Sequence, residues 1–295
     1  MSAVATAAQW VEGARLRTLP AAIAPVVAGT GVAAYVDAVI WWRAALALVV
    51  GLAMQIGVNY ANDYSDGVRG TDDIRVGPLR LVGSGVATPR SVKLAAFACF
   101  GIGAVAGLAL AAVTTWWLLL VGAAAIAAAW TYTGGPSPYG YRALGDVSVF
   151  LFFGLVAVLG TVYVQTGGLG WAAWATAIGI GALACAILMA NNLRDIATDI
   201  TSDKRTLAVL LGDTRTRIAY VALIALPLVL AVALGITETP WALLGAAGLV
   251  LAVPALRAVL SGAQGRALIV VLKTTGLAEL AYAALLAAGL AIAAA

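Results

Sequence analysis

Residues 43–66 read RAALALVVGLAMQIGVNYANDYSD. From Ala44 to Val58 the only polar side chain is Gln55. An apolar run of this length matches a hydrocarbon core roughly 30 Å thick, so the segment reads as a membrane-spanning helix. Polarity then arrives together, at Asn59, Asn62, Asp63 and Asp66. If the helix continues to Asp66, these residues fall at i, i+3, i+4 and i+7, which puts them on one face. The fold class that follows is all-α and membrane-embedded, with a polar face at the end of an apolar helix.

The pattern recurs along the chain. Of 295 residues, 63% are hydrophobic and 10% charged, where a soluble domain carries about a quarter charged residues. Water-soluble folds are thereby excluded. Gly, Pro and charged residues punctuate the apolar runs, and the runs divide into nine expected helices, near 18–36, 43–62, 90–112, 115–133, 144–165, 171–192, 214–235, 239–257 and 269–293. Residues 1–295 read as a single integral membrane domain. The first residues lack a secretory signal pattern, so the run beginning near Thr18 is expected to be a retained span.

Charge sets the expected orientation. With nine spans, every Lys and Arg except Arg43 falls on one face. The positive-inside rule makes that face cytoplasmic, with the N-terminus inside and the C-terminus outside. Asp37 and Glu238 fall on the opposite face, and Glu279 lies inside the last span with no role evident from the sequence. Histidine is absent, which removes His-based acid–base chemistry and His-ligated metal centres. Cys99 and Cys185 sit in apolar spans, as small hydrophobes.

A second stretch answers the first. Residues 171–199 read WAAWATAIGIGALACAILMANNLRDIATD, and place Asn191, Asp195 and Asp199 at i, i+4 and i+8 at the end of the sixth expected helix. Shifting residues 62–66 by 129 positions superimposes Asn62 on Asn191 and Asp66 on Asp195. This faint repeat suggests two four-helix halves plus a ninth helix, with a site where the halves meet. Two oxygen-rich faces suit a hard cation such as Mg2+, which binds one or two carboxylates together with phosphate oxygens. Carboxylates alone repel a diphosphate, so a metal must bridge them, while Lys204, Arg194 and Arg69 are available for phosphate oxygens.

With both motifs identified, the chain resembles the intramembrane aromatic prenyltransferases of the UbiA superfamily over essentially its full length. That superfamily carries N-D-x-x-D-x-x-x-D and D-x-x-x-D. Asn62, Asp63 and Asp66 match the first motif, except that Gly70 stands at its last position and Asp72 follows two residues later. Asp195 and Asp199 match the second. Three stretches resemble the menaquinone-pathway branch, namely the segment from Asn59 through Arg75–Arg80, the segment Tyr132–Gly154 and the segment Asn191–Gly212.

The resemblance implies a nine-helix fold open sideways to lipid, and two substrates, a polyprenyl diphosphate and 1,4-dihydroxy-2-naphthoate. It implies Mg2+ held by Asn62, Asp63, Asp66, Asp72, Asp195 and Asp199. Ionisation of the diphosphate is assigned to the acids Asp63, Asp66, Asp195 and Asp199 with Lys204. Substrate contacts are expected from Asn59, Arg69, Arg80, Tyr132, Tyr139, Arg142, Asp146, Asn191 and Arg194. Arg80 and Arg142 are candidates for the naphthoate carboxylate. Tyr60, Tyr64, Trp130, Tyr132 and Tyr139 are candidates to face a carbocation, against the plainer alternative that Tyr and Trp mark the membrane interface. Asp146 reads either as a helix-start acid or as a partner of the aromatic substrate. A hydroxybenzoate- or haem-directed prenyltransferase is the nearest rival. A secondary transporter fits less well, since transporter sites lie near the bilayer centre.

Overall fold

The computed structural model describes residues 5–70 and 79–295, and its regular elements are all helical. In chain order they are α1 (Ala7–Gly13), α2 (Pro20–Tyr35), α3 (Trp41–Arg69), α4 (Pro89–Val113), α5 (Trp117–Thr131), α6 (Gly145–Thr166), α7 (Trp171–Thr201), α8 (Leu207–Thr237), α9 (Pro240–Leu260) and α10 (Ala267–Ala294). Asp72, Asp73 and Arg75 lie outside the described residues.

Among the described residues, seven helices (α3, α4 and α6–α10) are long and apolar enough to cross a membrane. An eighth span arises if Ala7–Thr18 and Pro20–Tyr35, bent by 50°, count as one. The expected nine are therefore not reached. The fourth expected span is α5, whose 15 residues extend only about 22 Å at 1.5 Å per residue, short of the roughly 30 Å core.

The motif helices err in the other direction. α3 has 29 residues and α7 has 31, each about 45 Å long. Each thus has several residues more than a span needs, and both motifs occupy that surplus. α3 ends where Gly70 takes a left-handed conformation (φ 71°), which glycine adopts without penalty.

α7 is the central helix. Its most apolar window is 78% buried, against 33–39% for the other six. α8 packs along it, α4 packs along α3, and α10 packs along α2. α6 carries a π-helical turn at Phe150–Val156 and meets α7 at two glycines. A Cβ on Gly154 would lie 2.5 Å from the Gly181 Cα. Small residues permit such close backbone approach in membranes.

A cavity of about 560 Å³ lies among the helices on one side of α7. α2, α3, α4, α5 and α6 line it, mostly with Ala, Gly, Val, Leu and Phe. α5 rests on α3 and α4 and hardly touches α6, although both line the cavity along their lengths. Its polar end carries Asn59, Asn62, Tyr132, Tyr139 and Ser148.

Candidate active site

The predicted continuation of the first motif helix is present, and the face divides its labour. Asn62 borders the cavity and accepts a hydrogen bond from Thr133 Oγ1 at 2.7 Å. Asp66 is buried and accepts from the Tyr141 hydroxyl at 2.9 Å. Asp63, expected as a metal ligand, has both oxygens engaged by the backbone. It is wholly buried, and its two oxygens accept the backbone N–H groups of Leu81 (2.8 Å) and Val82 (2.9 Å). Its carboxylate thus anchors the segment after the first motif, on which Arg80 sits half-buried. Asn59 is likewise tied down, donating from Nδ2 to Ala14 O (2.9 Å) and Thr18 Oγ1 (3.0 Å).

The second motif sits beside the first. Lys204 Nζ is 3.9 Å from Asp199 Oδ1 and 5.1 Å from the centroid of the Tyr141 ring. Arg69 lies over the same ring at 5.5 Å. Tyr141 therefore joins the two motifs, bonding to Asp66 with its hydroxyl while its ring seats Lys204 beside Asp199. Its segment is fixed to the second motif's loop, since Arg205 N donates to Tyr141 O at 3.0 Å. Burial first, and then the charges of Asp146, Asp66 and Asp199, push the Tyr132 phenol above its usual range.

Several expected phosphate ligands are engaged elsewhere. Arg194 grips Asp195 through two hydrogen bonds of 2.6 and 2.7 Å and reaches Asn191 Oδ1 at 2.9 Å. Arg69 donates to the carbonyls of Thr133 and Gly135, closing the loop above Asn62. Arg142 is exposed. Asp146, in the first turn of α6, is buried, and among the described residues its Oδ1 has no partner.

The aromatic candidates separate cleanly. Tyr132 and Tyr139 meet edge to face, 5.5 Å between centroids, and both line the cavity. The Tyr139 hydroxyl is 2.8 Å from Ser148 Oγ. Burial pushes that phenol above its usual range, partly offset by Ser148. Tyr64 and Trp130 instead stack on each other 5.9 Å apart, with Lys93 close to both rings. Tyr60 donates to Trp10 O at 2.8 Å, holding α1.

Among the described residues, no three acidic or sulfur side chains converge on a metal-sized point. The arrangement still fits Mg2+, which retains waters and needs few protein carboxylates. Asp66 and Asp199 are connected through the Tyr141 side chain and Lys204, and Asn62 lies one turn before Asp66 on α3.

A model of the UbiA prenyltransferase family matches residues 22–269. The chain belongs to this family. Among its relatives in the UbiA family is the 1,4-dihydroxy-2-naphthoate octaprenyltransferase of Mycobacterium tuberculosis, 57% identical over 98% of both chains. The Escherichia coli protein of that name is 40% identical over 70% of both. A UbiA homolog from Archaeoglobus fulgidus bound to DMAPP and Mg2+ has the same fold, with TM-score 0.69 at 14% identity over 96% of this chain and 99% of that one. The apo UbiA homolog from Aeropyrum pernix gives 0.70 at 18% identity over 92% and 97%.

Sequence reasoning passed over Tyr141, Thr133 and Thr18. The only available signal for Tyr141 was its place in the Tyr139-Gly-Tyr-Arg142 turn.

Proposed function

We propose that this protein transfers a polyprenyl group from a polyprenyl diphosphate to 1,4-dihydroxy-2-naphthoate, releasing diphosphate and carbon dioxide in menaquinone biosynthesis. The relatives of that name cover nearly the whole chain. The observation that carries the chemistry is the link from Asp66 through Tyr141 to Lys204 and Asp199, which begins one turn along α3 from Asn62 at the polar end of an apolar cavity.

In this reading Asn62, Asp66, Asp195 and Asp199 hold Mg2+, and Asp72 joins them if the first motif needs another acid. The bound metal would neutralise charge on the departing diphosphate. Lys204 adds a fixed positive charge where the leaving group develops its own, an effect that is strong away from water. The apolar walls hold the isoprenoid tail, which reaches the bilayer between α5 and α6. The carbon–oxygen bond breaks with its electron pair leaving on diphosphate, and the rings of Tyr132 and Tyr139 face the resulting allylic cation. The naphthoate ring attacks through the carbon bearing its carboxylate. The bond to that carboxylate then breaks, its electrons restore the aromatic ring, and carbon dioxide departs, so no protein base is required. Arg80 and Arg142 remain the proposed contacts for the carboxylate. The motif face is taken as cytoplasmic in a multi-pass cell-membrane protein, built as one domain with two four-helix halves and a closing helix.

The test uses membranes carrying the protein, Mg2+ and a polyprenyl diphosphate, offered either 1,4-dihydroxy-2-naphthoate or 4-hydroxybenzoate. The expected product is the prenylated, decarboxylated naphthalene diol, with hydroxybenzoate unreacted. Prenylation of hydroxybenzoate alone would overturn the proposal.

A further inference from the structure

Two side-chain amides sit one turn apart on α3 at the polar end of the cavity, both buried and both lining it, namely Gln55 and Asn59. Their nitrogens are fixed by one hydroxyl. Gln55 Nε2 donates to Thr18 Oγ1 at 2.9 Å and Asn59 Nδ2 donates to the same atom at 3.0 Å. Thr18 Oγ1 in turn donates to Arg15 O at 2.9 Å. A threonine hydroxyl has one proton and two lone pairs, and all three are used here.

The direction of each amide follows. A flip of either would set a carbonyl oxygen against a hydroxyl whose proton is already committed. Asn59 is fixed further by Ala14 O at 2.9 Å. Both carbonyl oxygens are therefore turned away from the segment that holds the nitrogens. Among the described residues neither receives a hydrogen bond, as is explicit for the buried Gln55 Oε1. Buried polar atoms without a partner are uncommon and call for an explanation.

Two carbonyl acceptors beside a cavity select a ligand that carries a hydrogen-bond donor. A polyprenyl tail has no polar hydrogen. An ionised diphosphate is an acceptor itself. Asn59 and Gln55 lie 7 and 11 residues before Asp66 on the helix, about 10 and 16 Å along it, deeper than the motif acids. A phenolic hydroxyl meets both conditions of chemistry and depth. In 1,4-dihydroxy-2-naphthoate the 1-hydroxyl turns to the neighbouring carboxylate, which leaves the 4-hydroxyl as the donor.

We propose that the side-chain carbonyl of Gln55, held beside Asn59 in the orientation set by Thr18, receives the 4-hydroxyl proton of the aromatic substrate and sets its depth relative to the diphosphate. This rests on the functional reading above and adds a recognition point to it.

The test compares competitive binding of 1,4-dihydroxy-2-naphthoate with that of 1-hydroxy-2-naphthoate, which lacks the 4-hydroxyl, in wild type and in Gln55→Met. Wild type is expected to favour the diol on the order of tenfold or more, since the analogue leaves a buried acceptor unpaired. In Gln55→Met that preference shrinks toward unity, while KM for the polyprenyl diphosphate stays at its wild-type value. Equal wild-type affinity for the two naphthoates overturns the subsite without any variant. So does a preference that survives the substitution, or a parallel rise in KM for the diphosphate substrate. A wild-type protein inert toward 1,4-dihydroxy-2-naphthoate overturns the functional reading and this subsite with it, whereas an active one with unchanged discrimination overturns the subsite alone.

Discussion

Asp63 receives the backbone N–H of Leu81 at 2.8 Å on one carboxylate oxygen, while the other oxygen takes Val82 at 2.9 Å. Both oxygens of one residue of the first acidic motif are thus taken up by the polypeptide. Leu81 is itself fully buried, against Gly13 at the end of α1, so the carboxylate ties three parts of the chain together.

The consequence separates Asp63 from Asp66. Asp63→Ala strips two buried N–H groups of their acceptor, at about 1–3 kcal/mol each, and is expected to lower the yield of folded protein. Asp63→Asn retains one acceptor and should fold. Its half-maximal Mg2+ concentration for turnover is expected to match wild type. In Asp66→Asn that concentration should rise on the order of tenfold, and excess chelator should abolish wild-type activity until Mg2+ is returned. A metal titration of the three proteins decides it, and a shifted Mg2+ requirement in Asp63→Asn would make it a ligand after all.

How much of this was legible depends on whether the partner of a residue is a side chain or a backbone atom. The i, i+3, i+4, i+7 spacing correctly announced a continuous helix from the apolar run through Asp66. It could not separate Asp63 from Asp66, because the partners of Asp63 are amides 18 and 19 residues further along. The bend between α1 and α2 escaped notice, although Thr6 and Gln9 form a capping box whose spacing stands in the sequence. The count of nine spans is not reached at α5, whose helix is shorter than its apolar run, since such a run marks where a helix lies in a membrane but not how many of its residues are helical. Tyr141 was hidden by its type, because a loop tyrosine beside a membrane is by default an interface residue.

Tyr141 works through two separable features. Tyr141→Phe removes the bond to Asp66 and keeps the ring beneath Lys204 and Arg69. A hydrogen bond to a charged group is worth about 1.5–3 kcal/mol, so kcat is expected to fall roughly tenfold. Tyr141→Ala also removes the cation–π seat, worth about 0.5–2 kcal/mol, and should fall further, with a larger rise in KM for the diphosphate substrate. Equal activities of the two variants would show that the ring does not position Lys204.

The cavity can be filled without disturbing the helices. Gly160 on α6 and Gly122 on α5 both line it, and a Cβ at either meets nothing within 4 Å. Gly160→Phe or Gly122→Phe places a bulky ring in that space. Turnover of a long polyprenyl diphosphate is expected to drop at least tenfold, while a ten-carbon donor, which needs less of the cavity, loses little. Comparing kcat/KM for the two donors checks this, and equal losses would remove the cavity as the place of the tail.

Gly154 presents the opposite case. Its added Cβ would come within 2.5 Å of the Gly181 Cα and 3.0 Å of the Ala177 carbonyl oxygen, backbone atoms that cannot swing aside. Overpacking of this kind costs about 1–3 kcal/mol, so Gly154→Ala should lower the thermal midpoint in detergent by several degrees, with Gly160→Ala as a near-neutral control on the same helix. The effect should reach the chemistry as well. α6 carries Asp146 and Ser148 in its first turn, and Ser148 meets Tyr139 at 2.8 Å. Pushing α6 away from α7 moves the Tyr132–Tyr139 pair relative to the acids of α7. Gly154→Ala is therefore expected to lose kcat at temperatures well below its melting point, whereas a loss that merely tracks unfolding would confine Gly154 to packing.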